Sequence, residues 1–184
     1  MRQREINDEA MQRLFEACIY NAPGEMERIL QRTDIDPNQK YEDKTPLEIA
    51  SLEGYRDIVE LLIEHHLVVD SREGYQALHF ACERGHVEIA ELLLGKVVQR
   101  RGRVASKLLA NLLYTACESG KLEIVKLLIE GYARDPFIAL ERTEYGIPLA
   151  IAAARNFQPI VDYFWEQGVP YLEEEKRNNR GFQR

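Results

Sequence analysis

Apolar residues along this chain fall in short clusters at helical spacing, and the clusters return at a near-constant distance. Leu14 and Ala17, Leu47 and Ala50, Leu78 and Ala81, Leu113 and Ala116, and Leu149 and Ala152 each place a leucine and a small residue three positions apart, on one face of a helix. A second cluster follows each pair. Ile58-Val59 precedes Leu61-Leu62, Ile89-Ala90 precedes Leu92-Leu93, and Ile124-Val125 precedes Leu127-Leu128, with weaker versions at Ile29-Leu30 and Ile160-Val161. This is the stripe of a half-buried helix, so the pattern predicts five pairs of short amphipathic helices. The leucines are separated by 33, 31, 35 and 36 residues, the period of a solenoid. Its units stack because neither helix of a pair can bury its stripe alone. Gly54, Gly85 and Gly120 fall where the first helix of a pair ends, and Asn21 and Asn156 take that place in the outer copies. These residue types adopt left-handed backbone most readily.

The residues that join the helices make the pattern specific. Thr45-Pro46-Leu47 and Ala77-Leu78-His79 lead into first helices, Gly85-His86 and Gly120-Lys121 lead out of them, and Ile58-Val59-Glu60-Leu61-Leu62 forms a second helix. In these motifs the chain resembles the ankyrin-repeat family over nearly its whole length. The resemblance implies an all-α ankyrin-repeat solenoid of helix-turn-helix units with short projecting turns. A single domain over 1–172 is expected, with repeats at about 7–38, 39–70, 71–106, 107–140 and 141–172, a basic insertion at 95–107 and a charged tail at 173–184.

Composition adds limits. A net charge of −7 argues against a protein built mainly to coat nucleic acid. The charged start, Met1-Arg2-Gln3-Arg4-Glu5, leads into no apolar run of the kind a secretory signal needs, and no stretch has the length of a membrane span. The cytoplasm is the expected location, with the nucleus or delivery into a host cell left open. Cys18, Cys82 and Cys117 each follow the small alanine of a first helix and read as buried apolar filler. Packed helices lie about 8–10 Å apart, beyond the roughly 7 Å a disulfide spans. The resemblance gives His79 a role in bonding neighbouring turns, and His86 follows the same logic. His65 and His66 close a helix, where the dipole favours positive charge.

Catalytic signatures are missing. His-Glu-x-x-His, Gly-x-Ser-x-Gly and the phosphate-cradling Gly-x-x-x-x-Gly-Lys do not occur. The expectation is therefore a non-catalytic module without cofactor, metal or small-molecule substrate, monomeric, with another protein as its partner.

The resemblance implies binding through the projecting turns and the exposed side of the first helices, which line a concave surface. Matched by position, the turns offer Tyr41, Glu42 and Lys44, then Arg72, Glu73 and Tyr75, then Glu144 and Tyr145. The first helices add Ile19 and Tyr20, Leu52 and Glu53, Glu83 and Arg84, Glu118 and Ser119, and Arg155. Tyrosine and arginine are the residue types enriched at interface hot spots.

Two segments depart from the pattern. After Leu94 the chain runs Gly95-Lys96-Val97-Val98-Gln99-Arg100-Arg101-Gly102-Arg103-Val104-Ala105-Ser106-Lys107, without an acidic residue. Either a loop or a longer helix replaces the usual turn, with the next helix beginning near Ser106 as N-cap. Arg100, Arg101, Arg103 and Lys107 form the alternative site, which would bind phosphate on nucleic acid or membrane headgroups. In the last unit Tyr163, Phe164 and Trp165 replace the leucines, and three consecutive residues cannot all face one way. A tail folding back from Tyr171-Leu172, a partner, or further chain would each cover that end.

Overall fold

Thr45 sets the start of a unit. Its side-chain oxygen accepts a hydrogen bond from the Glu48 backbone N–H at 3.2 Å, and the Glu48 carboxylate accepts one from the Thr45 N–H at 2.8 Å. This capping box, with Pro46 at the first helical position, starts a helix where the chain must turn sharply. Glu48 is thereby buried although charged, its carboxylate spent on the backbone. The helix ends at Gly54, in the left-handed region at φ 85°.

That exit recurs. Asn21, Gly54, Gly85, Gly120 and Asn156 all have positive φ. After four of them the next N–H reaches back to the alanine of the pattern: Ala22 to Ala17, Tyr55 to Ala50, Lys121 to Ala116 and Phe157 to Ala152, each at 2.9 Å. These are the closing bonds of a Schellman motif.

The computed structural model describes residues 2–32, 35–40, 43–65, 71–133 and 135–170. The helices pair as α1 (Arg2–Ile19) with α2 (Pro23–Leu30), α3 (Pro46–Glu53) with α4 (Arg56–Glu64), and α5 (Arg72–Arg84) with α6 (Val87–Arg101). Next come α7 (Ser106–Glu118) with α8 (Leu122–Lys126), then α9 (Pro148–Ala154) with α10 (Gln158–Glu166). A π-helical segment, Leu127–Tyr132, extends α8, and a 3-10 helix, Pro136–Leu140, precedes α9. The fold class is the all-α ankyrin solenoid expected from the repeat.

Two compact units result, one of residues to 81 with 88–100, the other of 82–87 with residues from 101. In the first, α1 packs on α3 and α2 on α4, first helix against first and second against second. In the second, α7 packs on α9 and α8 on α10 in the same way, and the 3-10 helix rests on α7 and α9. All five leucines and all five alanines of the pattern are buried.

The three cysteines are free and buried. Burial pushes the Cys18 and Cys82 thiols up to about 12 and the Cys117 thiol higher still, so they behave as apolar filler rather than nucleophiles. The Cys18 thiol donates a weak bond to the Pro46 carbonyl at 3.7 Å.

The segment after Leu94 resolves in favour of the longer helix. α6 continues to Arg101 and the chain turns at Gly102, φ 75°. Ser106 is not the N-cap. It is the first residue of α7, Ala105 holds the cap position, and no side chain caps this end. Tyr163 and Phe164 are buried while Trp165 is 68% exposed, as three consecutive helical positions require. The Tyr163 hydroxyl donates to Glu130 at 3.1 Å; burial first, then that bond and the Glu130 charge, push its pKa up to about 12. Tyr171, Leu172, the 173–184 tail and His66 lie outside the described residues. Among the described residues, no helix is long and apolar enough to cross a membrane.

Candidate functional site

On α7 the face opposite Leu112 and Leu113 carries Asn111, Tyr114 and Glu118, spaced three and four residues apart and therefore aligned. The next unit supplies a partner to each. Asn111 Nδ2 donates to Glu144 Oε1 at 3.1 Å, the rings of Tyr114 and Tyr145 lie 5.8 Å apart at 34°, and Arg155 Nη2 donates to Glu118 Oε1 at 2.7 Å. The result is a row of three cross-element pairs, polar, aromatic and ionic.

The turn at 143–146 holds two of these residues in place. The Thr143 hydroxyl oxygen accepts from the N–H groups of Tyr145 and Gly146, each at 3.1 Å, and its proton goes to the Gly146 carbonyl at 2.9 Å. The Thr143 N–H donates to the same carbonyl at 2.8 Å. Gly146 has φ 140°, and a Cβ there would meet the Tyr114 ring at 3.1 Å, so both backbone and space call for glycine. Tyr145 is 59% exposed above this base. Partial burial raises the pKa of Tyr114, the nearby Glu118 charge adds to the rise, and Arg155 opposes it.

The other unit brings a second group together. Lys40, Asp43, Lys44, Arg72, Glu73 and Phe80 are among the residues lining a cleft of about 270 Å³. Lys40 approaches Glu73 at 3.9 Å. A backbone N–H bond holds the Glu73 carboxyl below the ordinary range, partial desolvation works the other way, and Ser71, Lys40 and Arg72 reinforce the lowering. The cleft carries charges of both signs at contact distance.

Of the residues expected at a binding surface, Glu118, Glu144, Tyr145 and Arg155 join the first group and Lys44, Arg72 and Glu73 the second. Tyr20 is 76% exposed at the end of α1, Glu53 and Arg84 are exposed, and Leu52, Tyr75 and Glu83 are half-buried. None of these six belongs to either group. Tyr41 and Glu42 lie outside the described residues. Arg100, Arg101, Arg103 and Lys107 are all exposed, the first two ending α6, Lys107 in the first turn of α7. Arg103 also edges a cleft of about 260 Å³ beside Tyr132 and Phe137.

Sequence reasoning missed Asn111 and Tyr114. The signal was present, since both are polar breaks in the apolar run from Leu108 to Cys117. It was invisible as a site because only the fold brings 144 and 145 to them. Among the described residues, no three His, Cys, Asp or Glu side chains gather as metal ligands.

Known proteins share this pattern. Residues 14–102 match the family model for ankyrin repeats in three copies. Alpha-latrocrustotoxin-Lt1a of Latrodectus tredecimguttatus is 30% identical over 83 residues, covering 44% of this chain and 6% of the toxin. The glycerophosphocholine phosphodiesterase GDE1 of Candida albicans is 33% identical over 87 residues, covering 45% of this chain and 7% of that protein. The chain thus spans well under a tenth of the length of either relative. Ankyrin repeats are generally protein–protein interaction modules and typically non-catalytic. With the paired helices of its described residues, repeated alanine-directed exits and matched repeats at 14–102, the chain carries ankyrin repeats.

Proposed function

We propose that this chain is a non-catalytic adaptor, acting as a monomer in the cytoplasm, that recognises a partner protein through its turns and first helices. Binding would recruit or mask the partner by mass action. The observation that carries this reading is Tyr145, 59% exposed yet fixed by its turn and its contact with Tyr114. An aromatic held rigid in the free state loses little conformational freedom on binding, which is the property of a hot-spot anchor. The cleft lined by Lys44 and Arg72 supports the same reading, as a charged rim around half-buried Phe80.

The test is affinity capture from lysate with the wild-type chain beside Tyr145→Ala, both verified as folded by circular dichroism. Truncating an anchor costs about 2 kcal/mol or more, a loss of at least about thirtyfold in affinity. A protein retained by the wild type and lost by the variant is the expected outcome. Equal retention by both would move the binding surface away from this row.

A further inference from the structure

We propose that the row on α7 accepts an arginine side chain of its partner, at the turn that carries Glu144 and Tyr145. This rests on the reading of that row as a protein-binding surface and adds the chemistry it selects.

The three pairs of the row are not equally satisfied. Arg155 and Glu118 neutralise one another at 2.7 Å. At the other end Glu144 meets only the neutral amide of Asn111, through Oε1. Among the described residues no cation pairs with Glu144, and Arg142, two positions before it, is exposed and makes no ion pair either. One negative charge of the row is therefore uncompensated, with Oε2 unbonded. Tyr145, its neighbour in sequence, is 59% exposed, and Tyr114, which its ring contacts, stands one helical turn from Asn111, which bonds Glu144.

An uncompensated carboxylate and an exposed aromatic ring on one short turn fit one side chain better than others. A guanidinium is planar, so it lies flat on a ring while its edge N–H groups bond a carboxylate. A lysine ammonium pairs with Glu144 as a point charge and gains less from the ring. A partner carboxylate is repelled, and an aliphatic chain leaves Glu144 desolvated and unpaired. Thr143 and Gly146 hold Glu144 and Tyr145 on one short turn, so the site exists before binding.

The experiment uses acetylated, amidated pentapeptide pools with a fixed central residue and mixed flanks, the centre being arginine, citrulline, lysine, leucine or glutamate. Each is titrated into the isotope-labelled full chain, with the Tyr145 and Gly146 amides and the Asn111 side-chain amide as reporters. The arginine pool is expected to shift these resonances saturably. Citrulline, which keeps the shape and removes the charge, should bind about tenfold more weakly, as a lost charge-assisted bond predicts. Glu144→Gln should weaken the arginine pool by a similar factor, Tyr145→Leu should do so too, and Tyr145→Phe should leave it unchanged. Equal binding of arginine and citrulline, or insensitivity to Glu144→Gln, overturns the arginine assignment. If the leucine or glutamate pool shifts the reporters and the arginine pool does not, the assignment fails while the protein-binding reading of the row stands. If no pool shifts them, both fail.

Discussion

A single glycine governs how the row is presented. Gly146 sits at φ 140°, where an L-residue is strained, and its missing Cβ is what lets the turn lie against Tyr114. Gly146→Ala meets both penalties, a backbone cost of order 1–3 kcal/mol and a 3.1 Å approach that pushes the ring or the turn aside. The contrast is Gly24, where a Cβ meets nothing within 4 Å and φ is not left-handed. Gly24→Ala is therefore expected to leave stability unchanged or slightly raised, and Gly146→Ala to lower the Tm by several degrees. Thermal unfolding by circular dichroism of the two variants checks this. An unchanged Tm for Gly146→Ala would show that the turn adapts at little cost, and the case for a preformed Tyr145 would weaken with it.

The helices differ in how they are started, and that difference is measurable. α3 has a complete capping box from Thr45 and Glu48, whereas α7, α8 and α9 have no side-chain cap. A buried cap counts for more than an exposed one, since the backbone N–H groups it satisfies have no water to turn to. Thr45 and Glu48 are 1% and 4% exposed. Thr45→Ala should then destabilise the chain by about 1–2 kcal/mol, at the upper part of the range for caps, while Thr45→Ser retains most of the stability. Urea unfolding of the three proteins decides it, and equal midpoints for alanine and wild type would contradict the cap as the determinant of that helix start. The same comparison explains the reading of Ser106. A serine before an apolar helix has the right chemistry for a cap, but the backbone begins the helix one residue early, and the hydroxyl is left inside the first turn.

At the scale of the whole molecule, the repeat carried most of the fold in its spacing. The leucines, alanines and left-handed positions read from sequence are those that pack and turn the chain, because first helices pack on first helices and second on second within each compact unit. The 3-10 helix at Pro136–Leu140 and the π-helical end of α8 were not legible, being departures from the repeat with no second copy to compare. The site was half legible for a related reason. Tyr145 and Arg155 are conspicuous by type and position, but Asn111 and Tyr114 acquire meaning only when a residue more than thirty positions away is folded onto them. Charge is the remaining global property, with 24 basic against 31 acidic residues. The basic run of Arg100, Arg101, Arg103 and Lys107 opposes that balance locally, but it holds four cations on an acidic chain, spread over the end of α6, the turn at Gly102 and the first turn of α7. Phosphate binding by Arg100, Arg101, Arg103 and Lys107 would then be a few screened contacts on an acidic protein. Affinity for a labelled 20-nucleotide single strand, followed by anisotropy, is expected to be measurable only at low ionic strength and to vanish near 150 mM salt, since a handful of phosphate contacts loses orders of magnitude over that range. Arg100→Glu with Arg101→Glu should remove the low-salt signal and leave capture of the protein partner intact. Tight binding that survives at 150 mM and is lost in this double variant would shift the function to phosphate recognition, and the row on α7 would no longer be needed to explain it.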